Sequence, residues 1–531
     1  MKNLAWICLV GAFAHLNLMA QDPEALRKER DKLVERGLWR DAVNFYEEKL
    51  SPLSDAGSGS DLARATEALG QLNAWKEFDA LVERAISAHP DNASLLTSAA
   101  EVYRRAPHSG RIVAGEFERG GGNRYSRGPV DDDSTASAGQ AVATEYRDHV
   151  RSLQLLRAAT TKQAFAAEGI LAWREMAEVF MQNQAWKLQT LTPLENLPEW
   201  SEPGPEGGTE GAPWQVDRPV VYEVPDSWEA AKNDGERWRF ALAEQARLSA
   251  EADMAAVMIS ERAKFSRSQF GTETLSSYGW WRQQDPDNAE GILEMDTLGE
   301  DECLAKTSDG VRRFKLPAEH HFIALYRSIL DNKLVGGTAG DSLVEIFLNR
   351  RQYDKAREVL DLTIAKHGPG NNDHRKSTLK QVTGNWGRFE VAETVPAGVK
   401  PKLPLVFRNA AKITLTAAPV DMEAVLRDTL AYLKSNPRDL DWERLNPSQI
   451  ASRLIAGGAA KYIGKTASNW NVTLTPRDKH RDTRTDLEVP IEQAGAWWVS
   501  GNVEGGNSFF TLVWIVDSVL VQNDVGGKKQ W

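Results

Sequence analysis

From Pro23 onward, apolar residues recur at helical spacing, and three segments can be laid over one another: WRDAVNFYEEKL from Trp39, WKEFDALVERAI from Trp75 and YDKAREVLDLTI from Tyr353. In each, an aromatic residue is followed three, seven and eleven places later by small or apolar residues: Ala42, Tyr46 and Leu50; Phe78, Val82 and Ile86; Ala356, Leu360 and Ile364. That spacing puts all four on one face of an α-helix. Each segment follows a shorter amphipathic stretch that ends in a turn, LVERGL, LGQLNA and FLNRRQ. In AHPDNASLLTSAAEVY, Pro90 stops one helix, and Asp91 or Asn92 is placed to cap the next.

Helix, turn and second helix with a small residue at the contact is the tetratricopeptide plan, whose repeat is about 34 residues. The first two copies stand at nearly that separation, while the third is far downstream. An irregular array of helix pairs is therefore the alternative, since a solenoid wants at least three stacked copies. Further helices are expected in YRDHVRSLQLLRAATTKQAFAAEGILAWREMAEVFM and SWEAAKNDGERWRFALAEQARLSAEADMAAVMIS. Two stretches, near 110–140 and 196–225, are rich in Gly, Pro, Ser and Asp and read as long surface loops.

At Trp386 the period changes. RFEVAETV, LPLVFRNA, KITLTAAPV, WNVTLTPR, TDLEVPI, GAWWVSGNV and SFFTLVWIV are short, rich in β-branched and aromatic residues, and separated by turn formers. This is the strand count of a Greek-key β-sandwich. A helical insert, 420–456, interrupts it. The expected fold is thus multidomain α and β: a leader over 1–20, a tetratricopeptide-like helical region over 21–384, and a sandwich over 385–525. In the last hairpin, Trp497 and Val499 share one face and EGGN makes the turn. Phe510, Leu512, Trp514 and Val516 line one face of the return strand, with Phe509, Val513 and Ile515 on the other. A strand apolar on both faces is expected to be central, so these tryptophans are read as core and not as a carbohydrate-stacking platform.

Composition narrows the partners. The 531 residues exceed what one core normally serves, and the net charge of −11, with both signs interleaved, offers no basic field for nucleic acid or anionic lipid. MKNLAWICLVGAFAHLNLMA has the Lys-led apolar run and small residues of a secretory signal, cut after Ala20 or Ala14. The mature protein is expected outside the cytoplasm, in the periplasm or beyond. Cys8 lies inside the apolar run and not at its end, so lipid attachment there is not expected. No later run of about 18 apolar residues suggests a membrane span.

With Cys8 gone, Cys303 is the one remaining thiol, and no intrachain disulfide is expected. Its neighbours in GEDECLAKTSDG are acidic and disfavour a reactive thiolate. His320 and His321 are adjacent, so on a helix they point about 100° apart and do not chelate one ion as an i, i+4 pair does. No Gly-x-Ser-x-Gly elbow, His-Glu-x-x-His run or Cys–His partnership is evident, GGGNRYSRG lacks the Lys-Ser or Lys-Thr of a phosphate loop, and DPDNAEGILEMD lacks the ligand order of a calcium loop. No catalytic, cofactor-binding or metal-ligating residues are assigned, and an enzyme is not expected.

IVAGEFERGGGNRYS, YRDHVRSLQLLRAA, VPDSWEAAKNDGERWRFAL and RFKLPAEHHFIALYRSIL resemble the helical N-terminal region of large bacterial alpha-2-macroglobulin-like proteins. TGNWGRFE, FRNAAKITLTAAPVD, AYLKSNPRDLDWERLN and AGAWWVSGNVEGGNSFFTLVWIVDSVLV resemble the macroglobulin-type sandwich that follows it. The resemblance implies a peptidase-trapping architecture, with peptidases or further macroglobulin domains as partners. It also implies a bait segment and, in many members, a thioester made from Cys-x-Glu-Gln. Here Cys303 begins CLAK, with Lys306 where the Gln is needed. The expectation is an exported scaffold without the reactive parts, either a fragment or a shortened member. The alternative is a free-standing tetratricopeptide-type adaptor.

Overall fold

A computed structural model describes residues 22–120, 139–162, 165–182, 188–204, 211–249, 252–276, 293–436, 438, 459–518, 523–525 and 528–530. The leader, GGGNRYSRG beyond its first glycine, most of DPDNAEGILEMD and the later part of the 420–456 insert lie outside them. The chain divides into two compact units: Met1–Ile292 with Asp301–Leu325, and Leu293–Glu300 with Tyr326–Trp531. Helices fill the N-terminal part and sheets the C-terminal part, a mixed α and β chain. Among the described residues no helix is long and apolar enough to cross a membrane.

The first unit opens with α1 (Pro23–Glu35), α2 (Trp39–Phe45, continuing as a wider turn over Tyr46–Leu50), α3 (Ser58–Gln71), α4 (Phe78–Ala88) and α5 (Ala93–Arg105). Pro23 starts α1 behind Asp22, whose carboxylate accepts from Glu24 N–H, and Asn92 caps α5 by accepting from Leu95 N–H at 2.9 Å. Of the positions picked out by spacing, Ala42, Tyr46, Leu50, Phe78, Val82 and Ile86 are buried. Successive helices then pack neighbour to neighbour: α3 on α5, α5 on α6 (Glu145–Lys162), α6 on α7 (Ala166–Gln182), and α7 on α8 (Asp234–Leu248). Gly59 allows the approach of α3 to α5, because a Cβ there would sit 2.4 Å from Ser98 Oγ. α9 (Ala252–Phe270) follows, then the short α10 (Glu273–Ser276).

The helical region also holds β structure. Within the stretch read as loop near 110–140, β1 (Ser109–Val113) pairs with both β2 (Glu116–Arg119) and β3 (Gln140–Ala143), all antiparallel. Backbone pairing supplies the order that this composition could not supply by burial. In the second such stretch, β4 (Trp214–Gln215) and β5 (Arg218–Pro219) form a small hairpin. A third hairpin, β6 (Glu302–Thr307) with β7 (Gly310–Lys315), carries Cys303 and turns at Ser308-Asp309.

After α11 (Phe322–Ser328), the second unit holds α12 (Gly336–Asn349), α13 (Tyr353–His367) and α14 (His374–Thr383) together with the sheets. One sheet has the order β13-β10-β8 and the other β12-β11-β14-β15-β9, from β8 (Trp386–Phe389), β9 (Val395–Pro396), β10 (Lys402–Arg408), β11 (Lys412–Pro419), β12 (Ser468–Thr473), β13 (Thr483–Glu488), β14 (Gly495–Val503) and β15 (Ser508–Val516). All neighbours are antiparallel except β15 with β9. Alternate residues of both sheets meet in one core: Leu403, Leu405 and Phe407 of β10, Ile413 and Leu415 of β11, Trp497 and Val499 of β14, and Val513 and Ile515 of β15.

Trp514 departs from the expected core placement. It lies on the opposite face of β15, half-buried in a separate patch with Ala496, Trp498, Leu512, Val420 and Tyr462. The reason is register: β15 pairs with β14 so that Val513 lies opposite the inward Trp497 and Trp514 opposite the outward Ala496, and the buried positions Val513 and Ile515 face the shared core. The indole N–H of Trp497, on the inner face, donates to Gln493 O at 3.0 Å.

Candidate functional site

The fold creates a Cys–His contact that the linear search does not reveal. β6 brings Cys303 to His321, 18 residues on, with Sγ 3.5 Å from Nε2, and both residues are buried. The protonation of the ring follows from its other contacts. The backbone N–H of Ile323 can only donate, so Nδ1 accepts from it at 3.1 Å, and the neutral ring carries its proton on Nε2, 3.2 Å from Glu302 O. The sulfur therefore faces an N–H and not a lone pair, which is the wrong polarity for a general base. Lys306, three places along the same strand, projects from the opposite face to Cys303. His320 points elsewhere: its Nε2 is 2.8 Å from Glu223 Oε1, and its carbonyl accepts from Ser266. Among the described residues no group of three His, Cys, Asp or Glu could hold a metal ion.

Arg119, in the stretch read as loop, is the hub of a buried charge cluster. Its guanidinium donates to Asp148 at 2.7 and 2.9 Å, to Asp79 at 2.7 and 2.9 Å, and to Pro107 O at 2.9 Å. It also lies 5.2 Å from the Phe78 ring centroid. Burial would raise the Asp148 carboxyl, but bonds from His108, Arg119 and Thr144 outweigh it and hold Asp148 below the usual carboxylate range. Every charged group here is hydrogen-bonded, with one guanidinium serving two carboxylates, and the cluster ties β2 to α4 and α6. Its one sequence signal is a lone Arg in a Gly-rich run, which composition alone does not distinguish from a solvated loop.

Several surfaces among the described residues are open, and two bear on partners. In the first unit a groove of about 450 Å³ runs between α3, α5 and the turn before α4, floored by Ala63, Trp75, Phe78 and Val102. In the second unit, α15 (Met422–Lys434) presents Leu426, Leu430 and Leu433, at 59%, 55% and 39% exposure. The spacing of four and three places these leucines on one helical face. The orientation of α15 has a local cause: Val425 is buried, Asp421 caps the helix by accepting from Ala424 N–H, and Asp428 accepts from Tyr462 Oη and Lys461 Nζ, both at 2.6 Å. The leucines are left facing outward. On the outer face of the five-stranded sheet, Trp498 stacks on Phe510 at 4.2 Å and 11°.

No protein-family model matches the sequence, and no curated protein matches it.

Proposed function

We propose that the chain is an exported, non-catalytic scaffold that docks protein, of the kind found in the N-terminal part of bacterial alpha-2-macroglobulin-type peptidase inhibitors. In this reading the helix pairs are tetratricopeptide-like, and the two sheets sharing a core form a macroglobulin-type Greek-key sandwich. The partner is a peptidase or a further macroglobulin-type domain. The observation that carries the reading is the leucine face of α15, since a soluble surface seldom leaves three leucines in one exposed row without use. The Cys303–His321 polarity and the Lys306 placement support the non-catalytic part.

The test is site-specific photocrosslinking from position 430 in exporting cells, with position 391 as an exposed control, since Val391 is 90% exposed. A discrete adduct from 430 alone, with a peptidase or a macroglobulin-type domain, is expected, and Leu426→Glu with Leu433→Glu should abolish it. Equal labelling from both positions would remove the reading. A second reading, a free-standing adaptor, is favoured by the α3–α5 groove, and labelling from Trp75 in place of 430 would select it.

A further inference from the structure

A second polar feature of the first unit is independent of the leucine face. Between the segment after β5, α8, α9 and the turn before α11 lies a pocket of about 30 Å³. That is room for about two water-sized atoms, given that one needs roughly 10–15 Å³. Trp238, Phe265 and Phe270 form apolar walls, and the polar lining includes Tyr222, Arg239, Arg262 and Gln269. Tyr222 is 4% exposed and Gln269 7%, yet the Tyr222 hydroxyl and Gln269 Oε1 have no hydrogen-bond partner among the described residues. Buried polar atoms in that condition are uncommon and call for an explanation.

The buried Arg239 guanidinium and the half-buried one of Arg262 have no carboxylate bonded to them directly. Arg239 donates to Tyr222 O and Arg262 to Glu319 O, each at 2.5 Å, and both acceptors are neutral carbonyls. The nearby Glu223 carboxylate is engaged instead by His320 at 2.8 Å. Burial brings Arg239 down to about 10, with Arg262 adding repulsion and Glu223 pulling back, and burial lowers Arg262 as well. A buried cation without a direct counter-charge is costly, and a guanidinium fork matches the two oxygens of a carboxylate. The backbone is shaped for this arrangement: a Cβ at Gly235 would stand 2.4 Å from the Tyr222 ring, so the glycine is what lets the ring lie there.

We propose that this pocket binds a single carboxylate group, received by Arg239 and Arg262 with the Tyr222 hydroxyl as a third donor. The Gln269 amide, turned about its last bond, adds an N–H. The volume fits the two oxygens of a carboxylate end. The group is that of a small acid or of a peptide terminus.

Saturation-transfer NMR of acetate with the full exported chain, exchanged against chloride at fixed ionic strength, tests this. Wild type should show saturable transfer to the acetate methyl. Arg262→Gln should weaken apparent affinity at least about tenfold, as loss of a charge-assisted pair does. Tyr222→Phe, which keeps the ring on Gly235, should weaken it about fivefold, as loss of one hydrogen bond does. If Arg262→Gln does not fold, by its thermal midpoint, Tyr222→Phe decides alone. Triglycine competing with acetate while its C-terminal amide does not would assign the group to a peptide terminus, and competition by neither would assign it to a small acid. Absence of saturable transfer, unchanged affinity in the folded variants, or equal displacement by chloride would overturn the proposal and leave water as the occupant.

Discussion

Each helix-pair turn contains one residue in the left-handed region at the same place, two before the aromatic that opens the next helix: Gly37 at φ 70°, Asn73 at φ 52° and Arg351 at φ 58°. Glycine and asparagine announce such a position in a sequence, and arginine does not, because its Cβ is strained there. The helix pairs were thus legible from spacing, and the conformation of the third turn was not. Gly37→Ala should cost about 1 kcal/mol by denaturant unfolding, while Arg351→Gly should be neutral or stabilising by up to ~1 kcal/mol. A stabilising Gly37→Ala would show that this turn relaxes.

At the same scale, Arg119 has a side chain with no exposure and depends on its two carboxylates. Asp148→Asn should cost about 3 kcal/mol, since removing one partner of a buried pair leaves the other under-compensated. The folded pKa of Asp148 is depressed, so its contribution is present above the unfolded value near 3.8 and is lost as pH falls through the lower folded value. Acid unfolding of wild type should therefore steepen below about pH 3.8, and that step should vanish in Asp148→Asn. An unchanged acid limb would assign the step to other carboxylates.

Among elements, the strands after Trp386 were readable because period two, turn residues and β-branched content agree. Which face of β15 meets the core was not, because both faces are apolar and the choice is set by the register with β14, which puts Val513 opposite Trp497. Trp497→Ala should cost roughly 3–5 kcal/mol, and Trp514→Ala, half-buried on the outer face, less than half of that. The reverse order in urea midpoints would mean that the outer patch is the stronger core. The β6–β7 hairpin lay inside the stretch read as helical; its loop is Ser308-Asp309, followed by Gly310 at φ 93°. It is also what makes the Cys303–His321 contact, which no spacing rule reaches, since hairpin and helix must both form before the two residues meet.

For the whole molecule, the sequence carries the division of labour between helices and sheets, while its chemistry lies in contacts between distant segments. The leucine face of α15 is written in the sequence at the spacing of an ordinary core helix. Among the described residues, the burial of Val425 and the bonds to Asp428 hold it outward.

The proposal is a protein-docking scaffold without a reactive centre, and the burial of Cys303 beside His321 supports its non-catalytic part. The most direct measurement is intact mass spectrometry of the full chain after incubation with a broad-specificity peptidase and methylamine, followed by denaturation. The account predicts no methylamine adduct, no heat- and detergent-stable conjugate, and Cys303 recovered as a free thiol. A conjugate or adduct mapping to Cys303, or to any other residue of this chain, would contradict it.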